Sequence, residues 1–221
     1  MNRSPYLAFT ALSYRVLHVI SALGFMVIGF LANVYIGTIG TVLLSAASPL
    51  VLVFIDYFAF SGVSSRKQKN MQFLKSSCKG LKFFSAAVKT DLWVKHFCLF
   101  VGYIGFILAE VIYFINGEEF LDSLLVLLIY IPISELTMNI TLILSRRIAL
   151  SMVVQIGVCY ICSMISTILL FLYSFLIPEH LSDYTVVIIV SFIIIQVLSI
   201  IMAIVLYKDC IKGYISSFSD T

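Results

Sequence analysis

Long apolar runs alternate with short polar breaks along almost the whole chain. The runs fall near residues 16–34, 39–60, 97–115, 120–144, 148–177 and 184–207. Each is long enough for a helix of about twenty residues, the length that crosses roughly 30 Å of hydrocarbon. Continuous runs of this kind exclude an outer-membrane barrel, whose strands alternate over about ten residues. The pattern therefore predicts an all-α, polytopic transmembrane helical bundle with six spans, a single domain over 1–221. The first two spans are joined by a tight turn containing Gly37. The run at 148–177 exceeds one crossing, which predicts a tilt or a break before Pro178. Pro132 should kink the fourth span.

The break at 61–96 is the longest. Within 65–96 lie eight of the fourteen Lys and Arg residues of the chain: Arg66, Lys67, Lys69, Lys75, Lys79, Lys82, Lys89 and Lys95. Basic loops beside spans stay in the cytosol. The other basic positions, Arg3, Arg15, Arg146, Arg147, Lys208 and Lys212, fall on the same side of a six-span chain with both termini cytosolic. The breaks on the other side carry Glu118, Glu119, Asp122, Glu179 and Asp183 and no Lys or Arg. The first span is expected to be retained, since no signal-peptide cleavage pattern precedes it.

Composition agrees with this picture. Of 221 residues 62% are hydrophobic and 11% charged, and the mean hydropathy is +1.11. The net charge of +3 comes from the loop asymmetry, so no nucleic-acid partner is implied.

Inside the basic break, 61–70 reads as a polar linker, and Met71, Phe73 and Leu74 make a short apolar patch. Ser76 and Ser77 offer a cap for a helix over 78–91. There Leu81, Phe84 and Val88 share one face, with Phe83 beside it, while Lys79, Lys82, Lys89 and Asp91 lie largely off that face. Such a helix would lie along the membrane surface or dock a soluble partner.

The stretches FIDYFAFSGVSSR (54–66) and MQFLKSSCKGLKFFSAAVKTDL (71–92), with the six-span count, resemble the permease subunits of type-2 ABC exporters, in particular small bacterial ones linked to peptide and drug export. The resemblance implies that 78–91 is an amphipathic cytosolic coupling helix between spans two and three. An ATP-binding cassette subunit would grip it through Leu81, Phe83, Phe84 and Val88. It also implies an amphipathic helix before span one, for which 2–14 is the available stretch. A second permease copy or a similar permease would complete the pathway, in a bacterial plasma membrane and in contact with its lipid. The cargo would be a hydrophobic or amphipathic peptide or drug-like compound. ATP and Mg would belong to the partner subunit, because this chain has no G-x-x-x-x-G-K-[ST] and needs no cofactor of its own. It lacks H-E-x-x-H and G-x-S-x-G as well, so it is not expected to be an enzyme. The competing reading is a membrane immunity or sensor protein that binds a toxin or lipid.

Three polar residues lie deep in the spans. Glu110 is about 20 Å in from the basic side and Glu135 about 14 Å, at 1.5 Å per residue. Asn139 shares a helix face with Glu135. They should face the bundle, as helix-to-helix hydrogen bonds or as a polar path. Asp56, at the basic end of span two, should reach the interface or pair with a loop lysine, or else form a structural pair near the coupling region. Cys159 and Cys162 form a lone C-x-x-C in mid-span without further ligands, so no metal site is expected.

Overall fold

The computed structural model of the chain describes residues 5–56, 78–115, 120–148, 152–176 and 184–216. Among them the structure is helical: α1 (Pro5–Phe9), α2 (Leu12–Ile36), α3 (Thr38–Asp56), α4 (Gly80–Ile115), α5 (Phe120–Ile148), α6 (Met152–Leu176) and α7 (Thr185–Ser216). Four of them contain stretches long and apolar enough to cross a membrane: Leu12–Ile36, Gly80–Ile112, Leu127–Arg146 and Thr185–Ile215. α3 and α6 carry shorter apolar stretches, Val42–Asp56 and Tyr160–Leu169.

The burial pattern is inside-out relative to a water-soluble bundle. The inward stripe of α2 is Tyr14, His18, Ala22, Phe25, Gly29 and Asn33, at spacings of three and four. Its outward stripe includes Val16, Val19, Ile20, Leu23, Val27, Ile28 and Leu31. α7 likewise buries Ser199 and Cys210 and exposes Val190, Ile193, Ile194, Val197 and Ile201. Water would drive those aliphatic stripes inward. Hydrocarbon outside leaves them where they are and collects the polar side chains within.

Helix directions follow from which residues meet. α2 and α4 touch at Tyr14–Asp91, His18–Cys98 and Asn33–Glu110, separations of 77, 80 and 77, so they run parallel. α3 and α5 are parallel too, at separations of 89 and 90. So are α5 and α7, at 61, 60 and 64. α4 meets α3 at Lys95–Asp56 and Tyr103–Ser45, so the partner number falls as its own rises and the two groups oppose each other. The end of α3, the first half of α4 and the ends of α5 and α7 thus gather at one end of the bundle, where Asp56, Lys95, Arg146 and Cys210 meet.

Glycines set the α2–α4 contact. A Cβ on Gly105 would overlap the Met26 carbonyl oxygen, and one on Gly102 would stand 3.0 Å from Phe25 Cβ. Gly37 ends α2 at φ 67°, ψ −142°, a conformation open to glycine, and its N–H donates to the Ala32 and Asn33 carbonyls at 3.1 Å. The expected turn is therefore where the sequence placed it. Pro49 lies inside α3 and has no N–H for the Ser45 carbonyl. Ser134 of α5 supplies the missing donor at 2.8 Å, and the Tyr103 hydroxyl donates to Ser45 Oγ at 2.9 Å. Pro132 likewise sits within one helix, Phe120–Ile148.

The coupling-helix expectation needs correction. The stretch 78–91 is not a separate surface helix. From Gly80 it is the start of α4, which continues through the third span as 36 residues, about 54 Å long. No proline interrupts it, and Asp91 and Lys95, one turn apart, neutralise each other inside the bundle instead of ending the helix in water. Nor do Phe84 and Val88 face outward: both are buried, Phe84 stacked on Tyr214 of α7 at 4.7 Å between centroids. Phe83 is partly buried and Leu81 is 44% exposed. α1 packs on α4 and falls within the stretch 2–14 expected to hold a helix, of which Leu12–Tyr14 already belong to α2. The linker 61–70, the patch of Met71, Phe73 and Leu74, and the Ser76–Ser77 cap lie outside the described residues.

Candidate functional site

At the basic end of the bundle, five helices meet in a knot of buried charge. Asp56 is the last residue of α3, Asp91 and Lys95 lie one turn apart on α4, and Arg146 is near the end of α5. Asp56, Asp91 and Lys95 are 0% exposed. The Arg146 guanidinium grips Asp56 in two places, Nε to Oδ2 at 3.0 Å and an Nη to Oδ1 at 2.6 Å. This fork is the geometry that makes arginine–carboxylate pairs strong. Lys95 Nζ reaches Asp56 Oδ1 at 2.8 Å and also bonds Asp91. Arg146 approaches Asp91 at 3.5 Å. Tyr14 of α2 donates to Asp91 at 2.7 Å and accepts from Lys95 at 3.0 Å. Cys210 Sγ of α7 accepts from the other Nη of Arg146 at 2.9 Å.

Two acids and two bases cancel in charge. An uncompensated ion in hydrocarbon costs several kcal/mol, and a fully paired set avoids most of that. Asp56 was expected to reach the interface, to pair with a loop lysine, or to form a structural pair near the basic segment. It pairs with Lys95, a lysine of the basic stretch, and with Arg146, and all three are buried within the bundle rather than at its surface. Beside the knot, outside the long helices, burial and the nearby Asp91 push the Tyr6 hydroxyl above its ordinary range.

Further from the basic end, α5 and α7 share a polar seam. Gln196 Nε2 donates to Glu135 at 2.9 Å. Asn139 Nδ2 donates to the Ser199 carbonyl at 3.2 Å and to Ser199 Oγ at 3.1 Å. His96 of α4 closes the third side, its Nε2 3.4 Å from Asn139 Nδ2. Glu110 lies elsewhere, on the α2–α4 contact, accepting from Asn33 at 2.5 Å. The expected helix-to-helix bonds of Glu110, Glu135 and Asn139 are thus present, and Glu135 and Asn139 belong to one site while Glu110 belongs to another. Leu81, Phe83, Phe84 and Val88 form no shared outward face. Cys162 is a free thiol, and the side chain of Cys159 lies outside the described set.

Sequence reasoning missed the knot because Asp91, Lys95 and Arg146 stand in stretches rich in Lys and Arg and read as solvated charges. One signal was present. Asp91 is the single acid in 65–96, and it stands four residues before a lysine, where a helix pairs them. Compared with protein-family models, curated proteins and solved structures, the chain matches none.

Proposed function

We propose that this chain is the membrane-spanning permease subunit of an ATP-driven exporter, with six crossings and both termini in the cytosol of a bacterial cell. A separate ATP-binding subunit would dock on the basic segment 61–96 and hydrolyse ATP with Mg. A second copy or a similar permease would complete the pathway, and the cargo would be a hydrophobic or amphipathic peptide or drug-like compound.

The observation that carries this reading is mechanical. The basic segment is flanked in the chain by Asp56 on one side and ends with Asp91 and Lys95 on the other, and these three side chains meet in the same knot. Asp56 is also held by Arg146 and Asp91 by Tyr14, and Arg146 in turn bonds Cys210. A displacement of the segment would move five helices together, which is what a nucleotide-driven subunit requires of its membrane partner. The helix directions support six crossings: α3 is antiparallel to α4 and parallel to α5, as alternate spans must be. With Phe84 and Val88 buried, Leu81 and Lys82 are among the exposed described groups that could meet a partner.

The test is a photo-crosslinker attached through Lys69→Cys in native membranes, with mass spectrometry of the product and an ATPase assay on the purified chain. The expected product is a protein with a phosphate-binding loop, and hydrolysis should co-purify with the chain. If neither a crosslinked ATPase nor co-purifying hydrolysis is found, the export reading falls. The immunity or sensor reading then takes its place.

A further inference from the structure

We infer that the seam of Glu135, Asn139, Gln196, Ser199 and His96 binds a primary ammonium group within the bundle. Glu135 is a carboxylate at membrane depth without a basic partner: among the described residues no Lys or Arg stands within ion-pair distance of it. Its contact is the single amide bond from Gln196. By contrast, all four charges of the knot are paired. Carboxylates within spans are costly and are kept where they meet a counter-charge.

The second observation is independent of the carboxylate. Asn139 is fully buried, one turn from Glu135 on the same face, and its Oδ1 has no hydrogen-bond partner. Its Nδ2 is held by Ser199. The orphaned oxygen belongs to the same amide group whose nitrogen Ser199 holds, one turn along α5 from Glu135. A buried acceptor left unmade costs about 1–3 kcal/mol, which a donor entering the seam would recover.

A third acceptor completes the set. His96 Nδ1 lies 2.8 Å from the Leu92 carbonyl, to which it must donate, so in the neutral ring Nε2 is the acceptor. The one described donor to that Nε2 is the long 3.4 Å contact from Asn139. A carboxylate, an amide oxygen and an imidazole nitrogen match the three N–H bonds of a primary ammonium. Among the described residues no three His, Cys, Asp or Glu side chains gather as a metal site. Glu135 itself is only partly buried, so a ligand can reach it. The inference deepens the export reading by naming the cargo's cationic group. It is measured on the chain alone, so loss of the ATPase partner would sink that reading and leave this site standing.

The experiment titrates n-hexylammonium into the purified full chain in nanodiscs by calorimetry. 1-Hexanol, hexyltrimethylammonium and sodium chloride serve as competing probes. Saturable binding of n-hexylammonium alone is expected. Glu135→Gln, which preserves shape and an amide partner for Gln196, should weaken it at least tenfold, and Glu110→Gln should leave it within twofold. Equal binding of 1-hexanol or hexyltrimethylammonium would overturn recognition of N–H cations even if no variant folds. Displacement by sodium would assign the site to an alkali ion instead. Unchanged affinity in Glu135→Gln, or no saturable binding to the wild-type chain, would overturn the inference outright.

Discussion

Removing the Asp56 carboxylate would leave Lys95 and Arg146 sharing Asp91 alone, with a whole positive charge unbalanced inside the bundle. Breaking a buried ion pair from one side costs about 3–5 kcal/mol, because the remaining charge stays desolvated. Asp56→Asn should therefore lower the thermal unfolding midpoint of the purified chain sharply. Lys95→Met should do so as well, by leaving two carboxylates on one guanidinium. The double variant restores neutrality, with Arg146 still paired to Asp91. Its loss should be clearly smaller than the sum of the two single losses. Additive losses in the double-mutant cycle would mean that water or lipid headgroups already screen the knot. The knot is also where the sequence was least legible. Hydropathy distinguishes charge from grease, and it does not distinguish a lysine in water from one held between two aspartates. Asp91, Lys95 and Arg146 became buried because three helices bring complementary charges together, and no window along one helix contains that information. Glu135 and Asn139 were easier to find, since a polar residue in a long apolar run stands out by itself.

At the scale of the helix, α4 is where expectation and structure part. Its first turns carry an amphipathic pattern that reads equally well as a surface helix or a docking helix. The structure uses that face for packing against α7, where Ser85 meets the Tyr207 hydroxyl at 2.6 Å and Phe84 stacks on Tyr214. Phe84→Ala should then behave as a core truncation and cost about 3–5 kcal/mol. Leu81→Ala, at an exposed position, should stay within about 0.5 kcal/mol. If Phe84→Ala left the unfolding midpoint unchanged, the α4–α7 contact would not hold in the folded protein, and a partner-facing role for Phe84 would return. The bounds of the other long helices were legible because apolar runs end where turns begin, as at Gly37. The closeness of α2 to α4 was not legible, because glycine carries no hydropathy signal of its own. A methyl at Gly105 meets backbone on α2, so Gly105→Ala should destabilise by about 1–3 kcal/mol through enforced separation of the helices. Gly157→Ala on α6 meets nothing within 4 Å. That change should be neutral or stabilising by up to about 1 kcal/mol through helix propensity. Thermal melts of the two variants side by side would check this, and equal behaviour would refute the close α2–α4 contact.

For the whole molecule, the decisive quantity is which end of the bundle faces the cytosol. Parallel pairs α2–α4 and α5–α7, with α3 opposed to α4, gather Arg15, Arg146, Lys95 and Lys208 toward one end. In the sequence, Glu118, Glu119 and Glu179 follow the C-terminal ends of α4 and α6. Translocating a basic segment is disfavoured, whereas acidic residues contribute little, so the basic end should stay inside. In a chain with Cys78→Ser, Gly117→Cys and Ser182→Cys should react with a membrane-impermeant thiol reagent added to intact cells. Lys69→Cys should react after the cells are opened and not before. The two outer positions test different things. Gly117 follows α4, whose length and hydropathy suffice for a crossing. Ser182 follows α6, whose apolar stretch is shorter, so its labelling asks whether α6 crosses at all. Labelling at Gly117 without labelling at Ser182 would mean that α6 does not carry the chain across, and the count would drop below six. Labelling at Lys69 in intact cells would invert the bundle and place the basic segment beyond the reach of any cytosolic ATPase.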